Sequence, residues 1–451
     1  MPILFQMLLA SVVSMPLALL QGWDAVATVR LNARLKAIRD AGDPVTMAEL
    51  AKTYPDPPPG KNAAEFFNAA FKVMEAQREA PGGLPIVDAG QLPDIAVELP
   101  PAMRKAIQAY LKENAEVIEL LHKAAALDDC KFDLDFTKGP GMLLPHLSKL
   151  RQAGRLLALE AVERIESGKA DHAVESLIAG LRMGEAVRRE PLLISTLVRV
   201  ACDSIAIGQM ERWASRGRPS VQALERVEAA LAAVADRRII ESAMVGERCF
   251  GIDIYENYVL KPNRGEMVGQ LFGGGDALPL AAPLLRIVPA AYFKSDMTCY
   301  LEIMNDYVVA SRKPYPERFI AGARVGQQLE ERIPRFYVVA RMIVPALSRV
   351  FSSGQQHIAR CDTARVALAA LRYKAKHGRL PADLGALVPD FLKAVPADPF
   401  DAKPLRYKAD ADGLTVYAVG ENGKDDGGLT QAHEGKTPDV GFRVRWPKAE
   451  F

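Results

Sequence analysis

The sequence lacks the patterns that name a function directly. Its five cysteines contain no CxxC pair, which excludes a zinc knuckle and favours buried free thiols over a disulfide framework. No long run of like charge occurs: 57 basic and 55 acidic side chains leave a formal net charge of +2, so nucleic acid is not expected as a partner. The GxSxG, HExxH and dinucleotide-binding motifs are also missing, and no catalytic residue is predicted.

The length and composition are those of a globular protein with more than one domain. Of the 451 residues, 49% are hydrophobic and 25% are charged, which are ordinary proportions. A chain of this length exceeds what one hydrophobic core usually holds, so two or three domains are expected.

The first twenty residues, MPILFQMLLASVVSMPLALL, are mostly apolar and contain no charged side chain. We interpret residues 1–22 as a signal-like or anchoring segment, which predicts a protein of the cell envelope, either membrane-anchored or exported. Arg30, Arg34, Lys36 and Arg39 follow it, and by the positive-inside rule they would hold the body in the cytoplasm. A buried N-terminal helix of a cytoplasmic protein is the alternative.

Helical periodicity dominates residues 24–260 and predicts a large helical domain. In its clearest part, HLSKLRQAGRLLALEAVERIESGKADHAVESLIAGLRMGE, two helical runs are separated by SGKAD. This pair weakly resembles a tetratricopeptide-type helical hairpin, although no regular repeat follows. Glycine and proline interrupt residues 261–345, which are predicted to be a linker with further helices.

The C-terminal part, residues 346–451, begins with a helical pattern. TARVALAALRYKAKHG predicts a helix whose apolar face runs from Ala364 through Leu368 to Ala375 and which stops at Gly378.

Two strand patterns follow this helix. PLRYKADADGLTVYAVG predicts a hairpin that turns at Asp412 and Gly413, and GFRVRW predicts a third strand with Phe442, Val444 and Trp446 on its buried face. The predicted fold is therefore α+β and predominantly α, with one long C-terminal helix packed on a three-stranded antiparallel sheet.

These stretches resemble the major pseudopilin of type II secretion systems. The resemblance covers about residues 358–446 and rests on YKAKHGRLPADLGALVPDFLKAVPADPFDAKPLRYK, then YAVGENGKDDGG, then PDVGF. In that family a helix ends at glycine, a proline-containing stretch crosses it, and a strand leads into a calcium-binding loop. The matching positions here are Gly378, Leu380, Pro381, Leu387, Val388, Pro389, Leu392, Pro396, Asp398 and Pro399.

The N-terminal part of that family has no counterpart here. RFYVVARMIVPALSRVF, which precedes Arg360, is short and lacks the cleavage motif of a pseudopilin. The resemblance therefore implies a domain attached behind an unrelated helical body, and not a filament subunit.

The segment from Val419 to Asp439 is the candidate binding loop. Its spacing fits neither a phosphate-binding loop, where Asp425 stands in place of the required hydroxyl, nor an EF-hand, where Lys424 and His433 stand in place of carboxylates.

The resemblance implies a looser calcium site in this loop. Its oxygen ligands would come from Asn422, Asp425, Asp426, a carbonyl near Val419 and a returning Asp439. Asn422 stands where the family carries aspartate, which lowers the charge. The alternative is that glycine and aspartate serve turn geometry alone.

Other polar residues are weaker candidates. Glu247, Arg248, Tyr255 and Tyr258 are predicted to form a buried polar network, and DDCKFD at 128–133 is predicted to be a solvated turn.

The sequence thus predicts a non-enzymatic, exported or membrane-anchored scaffold with protein partners and a calcium-stabilised C-terminal domain. The alternative is a helical enzyme of unknown reaction with that domain as an accessory. An enzyme requires a pocket with converging ionisable groups, whereas a scaffold requires an apolar or mixed groove.

Overall fold

The computed structural model of the protein describes residues 16–76, 82–235, 238–261, 288–344, 347–430 and 439–447. The fold is predominantly α with a small antiparallel sheet near the C-terminus, so the predicted α+β class is confirmed. Most of the predicted apolar N-terminal segment, residues 1–15, lies outside the described residues, as does the glycine-rich stretch 262–287.

The helices up to the middle of the chain are α1 (Leu17–Asp40), α2 (Met47–Ala51), α3 (Ala64–Ala76), α4 (Pro101–Glu113), α5 (Ala115–Ala125), α6 (Pro145–Glu166), α7 (Ala170–Glu185) and α8 (Leu193–Arg216). Those that follow are α9 (Val221–Val234), α10 (Glu241–Ile254), α11 (Ala290–Ser311), α12 (Glu317–Gln327), α13 (Leu329–Arg332), α14 (Val338–Ile343) and α15 (Ser348–His377). A π-helical turn, Tyr255–Val259, continues α10, and 3₁₀ turns occur at Phe136–Gly141 and Leu384–Leu387. The strands are β1 (Arg406–Asp410), β2 (Gly413–Ala418) and β3 (Val440–Arg445).

Helix α1 packs along α11 through one side only. Leu31 and Ile38 are buried in this contact, and the ammonium group of Lys294 lies 2.8 Å from a carboxylate oxygen of Asp24. Away from this contact, Leu19, Val26 and Val29 expose more than half of their surface, and Leu17 in the first turn of α1 is exposed as well.

Helices α6 and α7 form the predicted helical hairpin, and α8 packs against both. Gly168 lies between the two helices at φ +74°, a left-handed conformation that favours glycine. Gly180 allows α7 to approach α8 closely, because a Cβ there would lie 3.1 Å from the Cβ of Ala206. The helical hairpin is as predicted, whereas its tetratricopeptide character stays a prediction.

Among the described residues, α8 is the one helix long and apolar enough to cross a membrane. Half of its apolar window is buried, and the helix packs against α6, α7, α15 and β3. This packing is that of a core helix in a globular body.

The C-terminal sheet has the order β1-β2-β3 and is antiparallel throughout. The β1–β2 hairpin turns immediately before Gly413, and Val416 of β2 pairs with Phe442 of β3. Helix α15 ends at His377 because Gly378 adopts φ +73° and its N–H donates to the carbonyl of Lys374. The predicted hairpin and helix stop are confirmed, as is a third strand with Phe442 and Val444 buried. Trp446, predicted on the same buried face, is only half-buried because β3 ends one residue earlier, at Arg445.

The burial of α15 differs from the single apolar face that was predicted. Five successive residues, Val366 to Ala370, have no exposed surface, because β2 and β3 cover one side and α8 and α9 cover the other. Ala375, predicted on the apolar face, is exposed because it lies in the last turn beside the exposed Lys376 and His377. A helix enclosed on every side cannot be recognised from an amphipathic pattern.

Core packing crosses the predicted boundary at residue 346. One hydrophobic cluster contains Trp213 of α8, Leu224 of α9, Leu368 of α15 and Phe442 of β3. The edge of the sheet is also held by α8, because the N–H of Arg443 donates to Glu211 Oε1 (2.8 Å) and the N–H of Arg445 donates to Ser215 Oγ (3.0 Å). The C-terminal sheet is therefore packed into the helical body.

Candidate functional site

The predicted binding loop begins where β2 ends and returns at Asp439, just before β3. Residues 431–438 lie outside the described part of the chain. The N–H of Asp439 donates to the carbonyl of Leu429, which fixes the returning segment beside the outgoing one. The predicted return of Asp439 to this loop is thus present in the fold.

Asp439 lies at the centre of a small polar cluster. Its side chain is buried, with its two oxygens accepting N–H groups from Asp426 (3.2 Å) and Gly428 (2.7 Å). The amide nitrogen of Asn422 donates to Asp426 Oδ2 at 2.8 Å. Burial raises the pKa of the Asp439 carboxyl, and the nearby charges of Asp425 and Asp426 raise it further. Negative charge therefore converges at this point of the loop.

Asp425 faces a different partner. One of its oxygens lies 3.6 Å from Nε of Arg406, and the other accepts the N–H of Gly427. Arg406 also contacts Asp398 and Asp401 at 2.5 Å each, so one guanidinium lies among three carboxylates. The positively charged side chain of Arg406 therefore already contacts the side of the loop where Asp425 lies.

Among the described residues, Val419 makes its contact in the loop through its backbone N–H, and not through the carbonyl that was predicted as a ligand. Its N–H donates to Asp398 Oδ2 at 2.8 Å. Asp398 has no exposed surface and also accepts the N–H of Phe400. Asp398, one of the positions that match the pseudopilin pattern, therefore lies at the base of the loop.

The five predicted ligands therefore divide into two groups. Asn422, Asp426 and Asp439 meet in one cluster, whereas Asp425 and Val419 face the salt-bridge system of Arg406. Within the described ranges, no three His, Cys, Asp or Glu side chains meet at metal-ligand geometry. Carboxylate and amide oxygens are ligands that calcium prefers. In this cluster Asp439 accepts two backbone N–H groups, Asp426 accepts the side-chain amide of Asn422, and the Asn422 oxygen accepts the N–H of Lys424.

A second carboxylate, Asp203 of α8, was missed in the sequence. It has no exposed surface, and neither of its oxygens has a hydrogen-bond partner among the described residues. Burial raises the pKa of Asp203 well above its usual range; the charge of Arg199 lowers it and that of Glu185 raises it. The sequence signal that could have revealed this buried carboxylate is a single aspartate within the apolar helical stretch VACDSIAIG.

Asp203 belongs to a buried cluster that joins four helices. Oδ2 of Asp203 lies 3.7 Å from Nε2 of His357 on α15, and Arg199 contacts Glu185 of α7 at 2.7 Å. His357 Nε2 and an Arg199 nitrogen both approach the carbonyl of Val234, the last residue of α9, at 3.2 and 3.5 Å. Two basic side chains thus meet the negative end of the α9 dipole. Enclosed in this way, the cluster contributes to the packing of the four helices.

The other polar candidates have separate partners. Arg248 is buried and contacts Asp43 at 2.9 Å, whereas the Tyr255 hydroxyl donates to Asp296 at 3.0 Å. The single network predicted around Arg248 and Tyr255 is therefore wrong, because these side chains point towards different elements. Asp128 of DDCKFD is largely exposed and pairs with a surface arginine, whereas Cys130 and Phe132 of the same segment are buried, so the predicted solvated turn is only partly correct.

A groove lies on the side of α1. One part has a volume of about 610 Å³ and a neighbouring part about 480 Å³; Arg34, Glu302 and Arg332 line both. The lining mixes charged groups with apolar ones, among them Ala27 and Tyr337. This groove lies between α1, α11 and the segment after α13.

The chain matches no family profile, no curated protein and no solved structure. The likeness of its C-terminal part to a pseudopilin therefore rests on the quoted residues.

Proposed function

We propose that the protein is a non-enzymatic scaffold or interaction protein of the cell envelope, membrane-anchored or exported, with a pseudopilin-like C-terminal domain. The observation that supports this best is the groove beside α1, which is open to solvent and has a mixed lining. A surface that combines charged and apolar groups suits a protein or membrane partner. The buried ionisable cluster around Asp203 joins helices and takes no part in this surface.

The exposed side of α1 supports attachment to a membrane. Leu19, Val26 and Val29 lie on it, and the sequence before Leu17 contains no charged residue. Apolar surface in continuity with an uncharged segment favours burial in lipid. Cell fractionation tests this: the full chain should sediment with membranes and remain there after a high-salt wash. Recovery in the soluble cytoplasm would contradict the envelope location.

An enzyme remains the second candidate because of a pocket beside the π-helical turn. This pocket, of about 500 Å³, is lined by Met47, Phe136, Asp253 and Glu256. Burial raises the pKa values of both carboxyls, and the charge of Asp253 raises that of Glu256 further. A raised pKa favours the protonated form of a carboxyl, which is the form that acts as a general acid.

Calcium is proposed to bind the loop through Asn422, Asp426 and Asp439, drawing Asp425 away from Arg406. Because the sheet shares its core with the helical body, the test uses the full chain. Millimolar calcium should raise its melting temperature, since the ion binds the folded loop only. The variant Asp425→Ala/Asp426→Ala should lose this shift.

The matched control is Asp410→Ala, which removes an exposed carboxylate from the β1–β2 turn and should keep the calcium shift. No shift in the unaltered protein would refute calcium binding and would support turn geometry as the role of these residues.

A further inference from the structure

The groove beside α1 lies a short distance along the chain from the apolar N-terminal sequence. Trp23 and Asp24 are the first aromatic and charged residues of α1, and Lys294 pairs with Asp24. Tryptophan is typical of a membrane–water interface. Arg30 lies six residues further on, about 9 Å along the helix axis. Its side chain is therefore at the depth of lipid headgroups if the preceding sequence enters a bilayer.

Three guanidinium groups line the groove, from Arg30, Arg34 and Arg332, whereas its carboxylates are Glu302 and Asp306. One positive charge is thus in excess. Arg34 pairs with Glu302 at 2.5 Å and Arg332 with Asp306 at 2.6 Å, while Arg30 has no hydrogen bond or ion pair with any described residue. Arginine suits phosphate because its planar group donates two parallel hydrogen bonds.

The existing ion pairs do not oppose an incoming anion strongly. The side chains of Arg34 and Arg332 are 54% and 33% exposed, and their partners Glu302 and Asp306 are 41% and 42% exposed. Ion pairs in contact with water contribute little, so a phosphate group can replace a carboxylate at little cost.

Apolar side chains precede the arginine on the same face of α1. Leu19, Trp23, Val26 and Arg30 follow one another at spacings of four, three and four residues, which places them on one helical face. Leu19 and Val26 are more than half exposed. A ligand that carries both an acyl chain and a phosphate fits this order, whereas an acidic peptide would leave the apolar residues in water.

We propose that the groove binds the phosphate headgroup of an anionic membrane lipid through Arg30 and Arg332. This inference rests on the proposed membrane attachment and adds a lipid preference to it.

The test is co-sedimentation of the full chain with vesicles of phosphatidylcholine alone and with phosphatidic acid added. The acidic vesicles should bind more tightly. Arg30→Gln/Arg332→Gln should reduce this preference by about fivefold for each arginine removed, the effect of a basic side chain at an anionic surface. The control Lys72→Gln/Lys105→Gln removes two exposed charges on α3 and α4 and should keep the preference.

The outcomes separate the two proposals. Equal binding to both vesicle types, or an unchanged preference in the arginine variant, overturns the lipid site and leaves the membrane anchor standing. No binding to either vesicle type overturns both. Glycerol 3-phosphate serves as the soluble probe. If it raises the melting temperature of the unaltered protein but not of the arginine variant, and acidic vesicles bind no more tightly than phosphatidylcholine vesicles, the groove binds a soluble phosphate and the lipid proposal is wrong.

Discussion

Two buried carboxylates, Asp439 in the C-terminal loop and Asp203 in α8, have almost no solvent exposure but opposite surroundings. Asp439 accepts two backbone N–H groups, whereas the oxygens of Asp203 have no hydrogen-bond partner among the described residues. The difference arises because a loop leaves its N–H groups free, while those of a helix are bonded to the preceding turn. Burying a carboxylate therefore destabilises the folded protein less in a loop than on a core helix.

The same contrast separates local from distant partners. Asp426 and Gly428, which donate to Asp439, come from the same loop, whereas His357 and Glu185 approach Asp203 from other helices. Loop chemistry can therefore be read from neighbouring letters of the sequence. A buried cluster between helices depends on how those helices pack.

The largest effect is expected at the glycine that faces Asp203. A Cβ at Gly184 would lie 2.5 Å from Asp203 Oδ1 and 3.0 Å from the backbone carbonyl of Arg199. Gly184→Ala should therefore lower the free energy of unfolding by about 3 kcal/mol, measured by urea denaturation. Gly208→Ala is the control, because no atom lies within 4 Å of a Cβ at that position in α8, and it should stabilise by up to about 1 kcal/mol. Equal effects of the two changes would show that the cluster tolerates extra volume.

A smaller and opposite effect is expected for Asp203→Asn. The pKa of Asp203 is raised in the folded protein, so the folded state holds this proton more tightly than the unfolded chain, whose value is near 3.8. The free energy of unfolding therefore falls as the pH rises above that value. Asparagine carries no titrating proton, so Asp203→Asn does not lose stability in this way. Its free energy of unfolding should exceed that of the unaltered protein by about 1 to 2 kcal/mol at about pH 8, and the two proteins should be equally stable at about pH 4. A variant that is less stable at the higher pH would show that Asp203 is ionised and stabilised by Arg199.

The smallest effect is expected in the loop. Asp439→Ala leaves the N–H groups of Asp426 and Gly428 without their acceptor and should cost about 1 kcal/mol in a calcium-free urea titration. Asp425→Ala is the matched control. It frees the N–H of Gly427, but that residue is exposed and can bond to water, and Arg406 keeps Asp398 and Asp401, so the cost should stay below about 0.5 kcal/mol. The comparison fails if the control costs as much as Asp439→Ala.

Sequence patterns predicted the C-terminal elements well because each rests on local rules. Gly378 ends α15 in the left-handed conformation that glycine favours, and the alternation around Phe442 marks a strand with one buried face. The helical hairpin around Gly168 follows from a break between two periodic runs. Such signals need no knowledge of distant residues.

Other features were hidden from these rules. Three of these features depend on residues far apart in the chain. They are the burial of α15 between Val366 and Ala370, the partners of Asp203, and the hydrogen bond from the N–H of Arg443 in β3 to Glu211. The groove beside α1 likewise forms between helices separated by more than two hundred residues. Periodicity and composition carry no information about which helix lies beside which.

By itself, the sequence determined the predominantly helical α+β class, the helix stop at Gly378 and the crowding of turn-forming and acidic residues between Val419 and Asp439. These follow from backbone geometry and from side chains within a few residues of each other. Only the tertiary structure decided that Asp425 faces Arg406, that Asp203 is buried beside His357, and that the sheet shares a core with the helical body. Burial and pairing are properties of surfaces that meet, and those surfaces come from distant parts of the chain.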